Sequence, residues 1–395
     1  MKKIRNKLLL AMLLVTILPL LLVGGYSLYT TTDSLRQSSL SNLNNKVSLV
    51  GERVSNFLEN ISSDLFYLRD SSAINLYLSG LERGGDEESS LLLLDNLAGN
   101  LRVFSDKRKI YHQVRFMNTD GLEVVRINYD GSGATIAAKD KLQNKKGRYY
   151  FDDAIKLKKG ELMISPLDLN REKGKIELPI RPTIRYATPV FNEADELQGI
   201  IILNVLAKKF LSIIGRENMP NETLVFVNKE GYYYQHPNES KTWGSKRDMD
   251  TGANLFKDKS TVEKRVVTTR RAGHFETDDE IASYKPVLLN NARHQLGTII
   301  NFVPKKVVFS PVALFLWVFL GITLFALLIA ILLATLLSSS VARPLVTLKD
   351  EVERLAKGDL DSSIDVESND EVGDLSHAVE KLRRSMQILM KRAGR

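Results

Sequence analysis

Two long segments of the chain are predominantly apolar and carry no charged residue. The first covers residues 8–29 and the second residues 307–342, with its densest part at 312–337. The apolar core of a bilayer is about 30 Å thick, and roughly 20 apolar helical residues are needed to cross it. Residues 315–337 are apolar around the whole helical circumference, which is untypical of a soluble surface helix. The pattern therefore predicts two membrane-spanning helices, at 8–29 and 307–339.

The flanks of these spans predict their orientation. A cleaved signal peptide is the alternative for the first span, because basic residues precede it. The apolar run is long for a signal sequence and no Ala-x-Ala-like site follows it, so an uncleaved anchor is favoured. Positive flanks predict a cytoplasmic N-terminus at 1–7, an extracytoplasmic region at 30–306 and a multi-pass protein of the inner (cytoplasmic) membrane. The basic flanking residues are Lys2, Lys3, Arg5, Lys7, Arg343, Lys349 and Arg354.

Between residues 43 and 68 the apolar positions recur at steps of mostly four and three. This spacing places them on one face of a long helix that continues outward from the first span. The apolar stripe can pack against its own domain, against a second copy, or against both. A charged, glycine-containing break at 83–90 precedes another predicted helix at 91–104. The stripe consists of Leu43, Val47, Val50, Val54, Phe57, Ile61, Leu65 and Leu68.

After residue 110 the pattern becomes short apolar runs separated by polar turns such as Asp120-Gly121 and Glu230-Gly231. Such runs predict strands joined by hairpin turns. A helix followed by two rounds of strand, turn and strand predicts an α+β fold with two modules in series: a distal module at about 90–210 and a proximal one at about 215–303. The predicted strands are 114–118, 122–128, 162–165, 184–190, 199–205, 224–228, 232–235, 262–269, 280–286 and 297–303, with a short helix at 149–155.

A helix–break–helix pattern follows the second span. Pro344 precedes apolar residues at steps of three, four and three, and Gly358-Asp359-Leu360 then interrupts the helix. An extended stretch carries Ile364 and Val366, and Asp370-Glu371-Val372-Gly373 begins a second helix with steps of four and three. Two short helices with this spacing bury their apolar seams when two copies form a parallel four-helix bundle.

This stretch closely resembles a HAMP domain over residues 340–392. A generic juxtamembrane coiled coil is the alternative, but it would need neither the glycine break nor a second helix start. The resemblance implies a relay that switches between two packings of the four helices in a homodimer. The relay residues that it implies are Pro344, Gly358, Glu371 and Gly373.

The outer region resembles the double Cache sensor family, as found in bacterial chemoreceptors, sensor histidine kinases and diguanylate cyclases. The resemblance implies two PAS-like α/β modules stacked on a long N-terminal helix, with ligand usually held in the membrane-distal module. The matching segments cover nearly the whole outer region: 142–145, 148–151, 164–170, 174–177, 181–190, 199–204, 227–232, 236–237 and 243–244.

Amino-acid-binding relatives carry an Arg-x-Trp-Tyr-x-x-Ala motif in the distal pocket, and residues 148–154 match it in part. The resemblance implies that Arg148 clamps a carboxylate with two hydrogen bonds, and Tyr150 stands where the Trp would be. Asp168 falls near another pocket position. Asn204 stands where relatives have an acidic residue that meets an ammonium group. The amide weighs against an amino-acid ligand and leaves a carboxylate, another small anion or an unrelated molecule open.

A structural interpretation of the same residues stays open. In it, Arg148 pairs with Asp152 or Asp168 to hold a loop, and the tyrosines belong to the core. Arg185 and Tyr186 are further pocket candidates, but neighbours on a strand point to opposite faces, so only one of them can face a pocket. Polar groups that converge in an otherwise apolar concavity are typical of small-ligand sites, which favours a pocket for the group as a whole.

The composition excludes several kinds of chemistry. The chain has no cysteine, which rules out disulfides, thiolate metal sites and cysteine nucleophiles. The five histidines show no metal-ligand spacing, and we expect neither a metal nor a cofactor. Residues 84–88 imitate a diguanylate cyclase signature but lack the surrounding βαβ core, so we interpret them as a solvated loop. His377 lies inside the second HAMP helix, and no ATP-binding domain follows it. We therefore predict no catalytic residues.

The sequence thus predicts a transmembrane receptor that is not itself an enzyme. It would bind a small extracytoplasmic ligand, of which an organic anion is one candidate, and relay its state through HAMP to a cytoplasmic output module or partner. The net charge of +8 is spread along the chain rather than gathered into one stripe, so it gives only weak support for a nucleic-acid partner, and we expect none. One alternative is the sensor portion of a histidine kinase or diguanylate cyclase whose catalytic domain is absent here, and a passive membrane scaffold is another.

Overall fold

The structure, a computed structural model, describes residues 2–84, 86–172, 174–290, 293–364 and 370–393. It contains two compact units, Gln37–Val308 and the pair Met1–Arg36 with Phe309–Arg395. Gly85 and Val366, which entered the sequence predictions, lie outside the described residues. The helices are α1 (Lys2–Arg69), α2 (Ser72–Glu82), α3 (Glu87–Arg108), α4 (Tyr149–Ala154), α5 (Lys208–Arg216), α6 (Leu255–Asp258), α7 (Arg265–Thr268), α8 (Lys305–Val308), α9 (Ser310–Leu337), α10 (Arg343–Ala356) and α11 (Glu371–Ala393).

The strands lie in two main antiparallel sheets and one small hairpin. They are β1 (Tyr111–Asn118), β2 (Glu123–Tyr129), β3 (Ala134–Ile136), β4 (Met163–Ile164), β5 (Asp168–Leu169), β6 (Arg171–Glu172), β7 (Lys175–Ile176), β8 (Pro182–Phe191), β9 (Leu197–Leu206), β10 (Thr223–Val227), β11 (Tyr233–Gln235), β12 (Gly273–Glu276), β13 (Glu280–Leu289) and β14 (His294–Pro304).

The long helix that continues from the first apolar segment is confirmed, since α1 runs without interruption from that segment to Arg69. Its apolar stripe is buried as predicted with one change: Leu58 is fully buried, whereas Phe57 is half-buried beside the ring of Phe210. The predicted loop at 84–88 is partly wrong. Asp86 caps α3 by accepting a hydrogen bond from Ser89 N at 2.8 Å, so Glu87 and Glu88 lie in the first helical turn.

The first module, residues 111–206, is built on a seven-stranded sheet. Its strand order is β3-β2-β1-β9-β8-β4, and β5 pairs with β8. The strands β1, β8 and β9 are central and covered on both faces. Nearly all of their residues are therefore buried, rather than every second one. Gly121 has a φ of +82° in the tight turn between β1 and β2, as the Asp-Gly pair predicts.

The second module, residues 223–304, is built on a five-stranded sheet of order β11-β10-β14-β13-β12. The predicted strand at 262–269 is wrong, because this segment contains the helical turn α7 instead. Its β-branched residues suggested a strand, but the turn brings Val262, Val266 and Val267 together against the sheet. Burial decided the local structure over intrinsic preference.

One apolar core joins α1 to both modules. The stripe of α1 packs in the same buried cluster as Ile184 and Tyr186 of the first module and Phe226 and Ile299 of the second. The two sheets are therefore separate in their hydrogen bonding but share the core on their α1-facing sides. Burial of this apolar surface is the main force that holds the modules along the helix.

The other compact unit contains the two apolar segments, in α1 and α9. Each is long and apolar enough to cross a membrane, with a mean hydropathy of 2.6 in the first and 2.9 in the second. Most of their large apolar side chains are exposed in the single chain, as expected of lipid-facing residues. Gly24 lies where a Cβ would collide with the ring of Phe319, whereas a Cβ at Gly25 would meet nothing within 4 Å.

Candidate functional site

The polar face of the first-module sheet is built by alternation along three strands. On β8, Tyr186 faces the apolar core with α1, while Arg185 faces the opposite side. Arg185 stands directly opposite Asn204 of β9 in the sheet register, and Arg115 of β1 stands opposite Ile202. The helix α4 covers this side and contributes Tyr150 to it. The strands thus bring two arginines and an amide beneath a short helix.

Arg185 is 6% exposed and is held by groups from α4 and from the segment after β4. Its Nη1 donates to Asp168 Oδ1 at 2.9 Å and to the Tyr149 hydroxyl at 3.4 Å. Its Nη2 donates to Asn170 Oδ1 at 2.9 Å. A buried guanidinium needs both a counter-charge and hydrogen-bond acceptors, and Asp168 and Asn170 supply them.

Arg115 forms a parallel network deeper in the sheet. It is 2% exposed, and its Nη2 donates to Asn204 Oδ1 at 2.7 Å. Its Nη1 lies 3.4 Å from Glu123 Oε1, and Glu123 Oε2 accepts from Arg126 at 3.0 Å. Asn204 in turn donates to Gln113 at 3.2 Å. The amide predicted from the sequence as a ligand contact is therefore bonded to protein groups on both sides.

The ring of Tyr150 joins the two networks. The guanidinium carbons of Arg115 and Arg185 each lie 5.5 Å from its centroid, within the range of cation–π attraction. The buried ring therefore faces two positive charges rather than a purely apolar core.

A cleft of about 590 Å³ opens beside these networks. Asp168 is the charged group that belongs both to the buried network and to the cleft wall. Burial raises the pKa of Asp168 above its usual range, although the neighbouring Arg185 acts in the opposite direction. The cleft is lined by Tyr149, Asp153, Met163, Ile164, Ser165, Pro166, Asp168, Arg171 and Arg247.

The structure brings together four of the six predicted ligand residues, namely Tyr150, Asp168, Arg185 and Asn204. Tyr186 lies on the other face of the sheet, buried in the core with α1. Arg148 is exposed at the start of α4. Of its two suggested partners, Asp168 bonds Arg185, and Asp152 Oδ1 accepts from Gly147 N at 3.1 Å.

The predicted relay residues lie at the ends of α10 and α11. Pro344 is in the first turn of α10, and Gly358 follows that helix with a φ of +99°, a conformation that favours glycine. Glu371 begins α11, and Gly373 N donates to Asp370 O at 2.9 Å. The segment between the helices is tied to α11, because Ile364 N donates to Glu380 Oε2 at 3.0 Å.

A family profile described as the bacterial histidine kinase sensor domain matches residues 98–300, which is just over half of the chain. The chain belongs to this family. A HAMP profile matches residues 336–387, which confirms the relay domain predicted from the break between α10 and α11. The protein thus combines a sensor domain with a HAMP domain, as transmembrane receptors do.

Solved structures show the same sensor fold. The extracellular domain of a protein described as the histidine kinase vpHK1S-Z8 is 21% identical, with a TM-score of 0.57 over 72% of this chain and 96% of the other. A domain of a Vibrio parahaemolyticus protein described as sensory box/GGDEF is 23% identical, with a TM-score of 0.56 over 68% and 96%. At these identities the likeness shows the fold alone. A comparison with curated proteins gave no match.

Sequence reasoning missed Arg115, Glu123 and Asn170 in the sensor domain. A signal for Arg115 was present, because it is a lone charge between Val114 and Phe116 in a strand whose flanking residues are apolar. A charge in a strand that is buried on both faces must find partners inside the protein. Glu123 and Asn170 come from a strand end and a loop, and their roles depend on tertiary contacts alone.

Proposed function

We propose that the protein is a homodimeric receptor of the cytoplasmic membrane that binds a small molecule in the first module and relays its state through HAMP. The observation that carries the proposal is the buried Arg185 network with its one carboxylate, Asp168, exposed to a cleft of ligand size. A few convergent polar groups in a concave site are how proteins usually hold and orient small ligands.

The charges favour an anion as the ligand. The two networks contain three arginines (Arg115, Arg126 and Arg185) and two carboxylates (Glu123 and Asp168), which leaves a formal charge of +1. Among the described residues, the buried Nε atoms of Arg115 and Arg126 lack an acceptor. A small organic anion bound at the edge of this layer would compensate the excess positive charge. Arg115 and Arg126 do not line the cleft, so their Nε atoms are outside its direct reach.

The relay follows from the helices. With the N-terminus and HAMP in the cytoplasm and the sensor domain outside, α1 and α9 are the covalent routes across the membrane. The apolar residues Leu382, Met386 and Leu389 of α11 are exposed in the single chain, and a second copy would bury them in a four-helix bundle. A ligand shifts the packing only by its preference for one state, typically about 1–3 kcal/mol.

A ligand screen tests the proposal. Full-length protein in lipid nanodiscs is melted with small carboxylates, other anions, amino acids and amines. A ligand at 100 times its Kd stabilises the folded state by about 2.7 kcal/mol, which raises the melting temperature. We expect Asp168→Asn to change the affinity for an anionic ligand, because it removes the carboxylate that competes with the ligand for Arg185. Asp152→Asn, which alters a carboxylate outside the cleft wall, should leave the affinity unchanged. Shifts that survive Asp168→Asn with unchanged affinity would place binding elsewhere.

A cysteine pair tests the relay. In Leu382→Cys, the rate of disulfide formation between copies reports the packing of α11, and we expect a ligand found in the screen to change it. Equal rates with and without that ligand, in a protein that still binds it, would exclude the relay through HAMP.

The family match favours a second candidate, the sensor half of a histidine kinase. Genomic sequence that continues in frame beyond residue 395 into an ATP-binding domain would support it. A stop codon at that point, together with a separate partner captured by the HAMP helices, would support the receptor without a kinase half.

A further inference from the structure

A short segment of the first module touches both the buried arginine network and the second module. Asp168 and Asn170 hold Arg185 on one side. On the other side, Leu169 N donates to Asp248 Oδ1 at 3.1 Å, and Arg171 Nη2 donates to Arg247 O at 2.6 Å. Residues 168–171, which we call the strap, therefore bind the distal arginine network and the loop 245–248 at the same time.

The partner loop is fixed toward the strap by its own bonds. Ser245 Oγ donates to Asp248 Oδ2 at 2.6 Å, and Asp248 N donates to Ser245 O at 3.0 Å. These bonds leave Asp248 Oδ1 to accept from Leu169. A cleft of about 520 Å³ separates the modules here, and Asp168, Asp248, Tyr234 and Trp243 are among its lining residues. Asp168 of the first module and the carboxylates Glu230 and Asp248 of the second thus line the same space.

The two carboxylates are within electrostatic reach of each other. The pKa of Asp168 is raised first by burial and further by Asp248, while Arg185 opposes both effects. Burial raises the pKa of Tyr234, and Asp248 and Asp168 add to the increase. Arg247 also favours the ionised form of Asp168, but its side chain is exposed and therefore screened by solvent. Arg185 is the buried positive charge that offsets the repulsion between Asp168 and Asp248.

We propose that the Arg185–Asp168 ion pair is a charge lock between the two modules. An event that draws Arg185 away from Asp168 leaves Asp168 and Asp248 as facing carboxylates, and their repulsion loosens the contact between the strap and the loop 245–248. This inference deepens the proposed function and rests on it for the event itself, namely an anion that competes with Asp168 for Arg185. Binding of an anion in the first module would thereby change the contact with the second module through the charge of Asp168.

The chain offers a matched control. Arg115 is buried like Arg185 and lies at the same distance from the Tyr150 ring. Its hydrogen bonds go to Asn204 and Glu123, and neither residue belongs to the strap. Loss of Arg115 therefore damages the same buried layer without releasing Asp168.

Trp243 reports on the junction. The chain has two tryptophans, so in a Trp317→Phe background the fluorescence comes from Trp243, which is 8% exposed and lies 5.5 Å from the Tyr234 ring. Full-length protein in nanodiscs is quenched with acrylamide, without any ligand. We expect Arg185→Met and Arg185→Gln to raise the quenching constant at least twofold and Arg115→Met to leave it near the starting value. Adding Asp168→Asn to either Arg185 variant should restore low quenching, because one facing carboxylate is then neutral.

Three results would overturn the lock. Unchanged quenching in a folded Arg185 variant shows that the junction does not depend on this pair. Equal increases for Arg185→Met and Arg115→Met show general loosening of the module. An increase that Asp168→Asn fails to reverse shows lost packing rather than charge. Because no ligand is used, the lock and the proposed ligand site can fail separately.

Discussion

The two modules of the sensor domain share a strand arrangement and differ in what fills the space on the side away from α1. In the first module, a hairpin (β1 and β2) pairs through β1 with the last strand of a long hairpin (β8 and β9), and the second module repeats this with β10, β11, β13 and β14. On that side of its sheet, the first module carries Arg115, Arg185 and Asn204. The second places apolar residues there, among them Val225, Ala282, Ile300 and Phe302.

The two fillings differ in what they contribute to the stability of each module. The apolar filling of the second module needs neither a counter-charge nor hydrogen-bond partners. A layer of buried arginines costs desolvation and holds only where acceptors are placed. The second module shows that the same strand arrangement can be filled with apolar residues, so stability alone does not require the polar filling of the first module.

The largest expected effect comes from placing an arginine in the apolar module. Ala282 is 1% exposed and stands opposite Phe302 in the sheet. Ala282→Arg buries a charge among apolar residues, and we expect a loss on the order of 5 kcal/mol of unfolding free energy. Urea unfolding followed by Trp243 fluorescence in the Trp317→Phe background measures it. The size control Ala282→Met should lose only about 1–3 kcal/mol. Equal losses would mean that volume, not charge, sets the difference between the modules.

In the polar module, stability should depend on whether a buried charge keeps its partner. Arg185→Met leaves the Asp168 carboxylate without its counter-charge, and breaking a buried pair in this way costs about 3–5 kcal/mol. Replacing both partners, as in Arg185→Met with Asp168→Leu, should cost clearly less, because an apolar pair needs no compensation. Thermal melts of the two variants by circular dichroism decide this. A double variant as unstable as the sum of the single ones would contradict it.

The two modules should also respond to acid with opposite sign. The pKa of Asp168 is raised by burial, so its contribution to stability is present below its unfolded pKa and is lost as pH rises through the folded value. Burial also acts to raise the pKa of Asp258, but hydrogen bonds from Lys241 and Tyr233 outweigh it and lower the pKa. Its contribution is present above the unfolded pKa and is lost as pH falls through the folded value.

Melting temperatures between pH 6 and pH 3 check this sign. The difference between the native protein and Asp168→Asn should grow as the pH falls, whereas the difference from Asp258→Asn should shrink. Parallel trends for the two variants would remove the electrostatic contrast between the modules.

The smallest effect is expected at the rim of the apolar module. The Lys259 ammonium lies 4.5 Å from the centroid of the Phe302 ring and pairs with Glu280. The side chains of Lys259 and Glu280 are partly exposed, so Lys259→Met should lower the unfolding free energy by about 0.5–1 kcal/mol. Lys257→Met, at an exposed neighbouring position, should change the unfolding free energy less. A loss at Lys259 as large as that at Arg185 would show that the second module also depends on a buried charge.

Much of the fold was predictable because its signals are local. The stripe of α1, the turns at Gly121 and Gly231 and the glycine break after α10 each depend on spacing or on a backbone conformation. The strand predicted at 262–269 failed because α7 is a single turn whose conformation is decided by the sheet below it.

The candidate site was predictable only in part, for a physical reason. Asp168 was named because it falls near a pocket position of the family that the outer region resembles, and Arg185 because one of two neighbouring strand residues can face a pocket. The pairing of Arg115 with Asn204 depends instead on the register between β1 and β9. The strap was out of reach for the same reason, since it joins residues that are 79 positions apart. Contacts between distant segments leave no periodic trace in the sequence.

The apolar core that both sheets share along α1 sets a limit on how this sensor can be dissected. A cut between β9 and β10 would sever no sheet hydrogen bond, yet it would leave Leu224, Phe226 and Ile299 on one piece and the helix face they cover on the other. Each half would expose a large apolar surface and would be prone to aggregate when expressed alone. The outer region is therefore a single piece for protein engineers, and chimaeras with other receptors should exchange it whole.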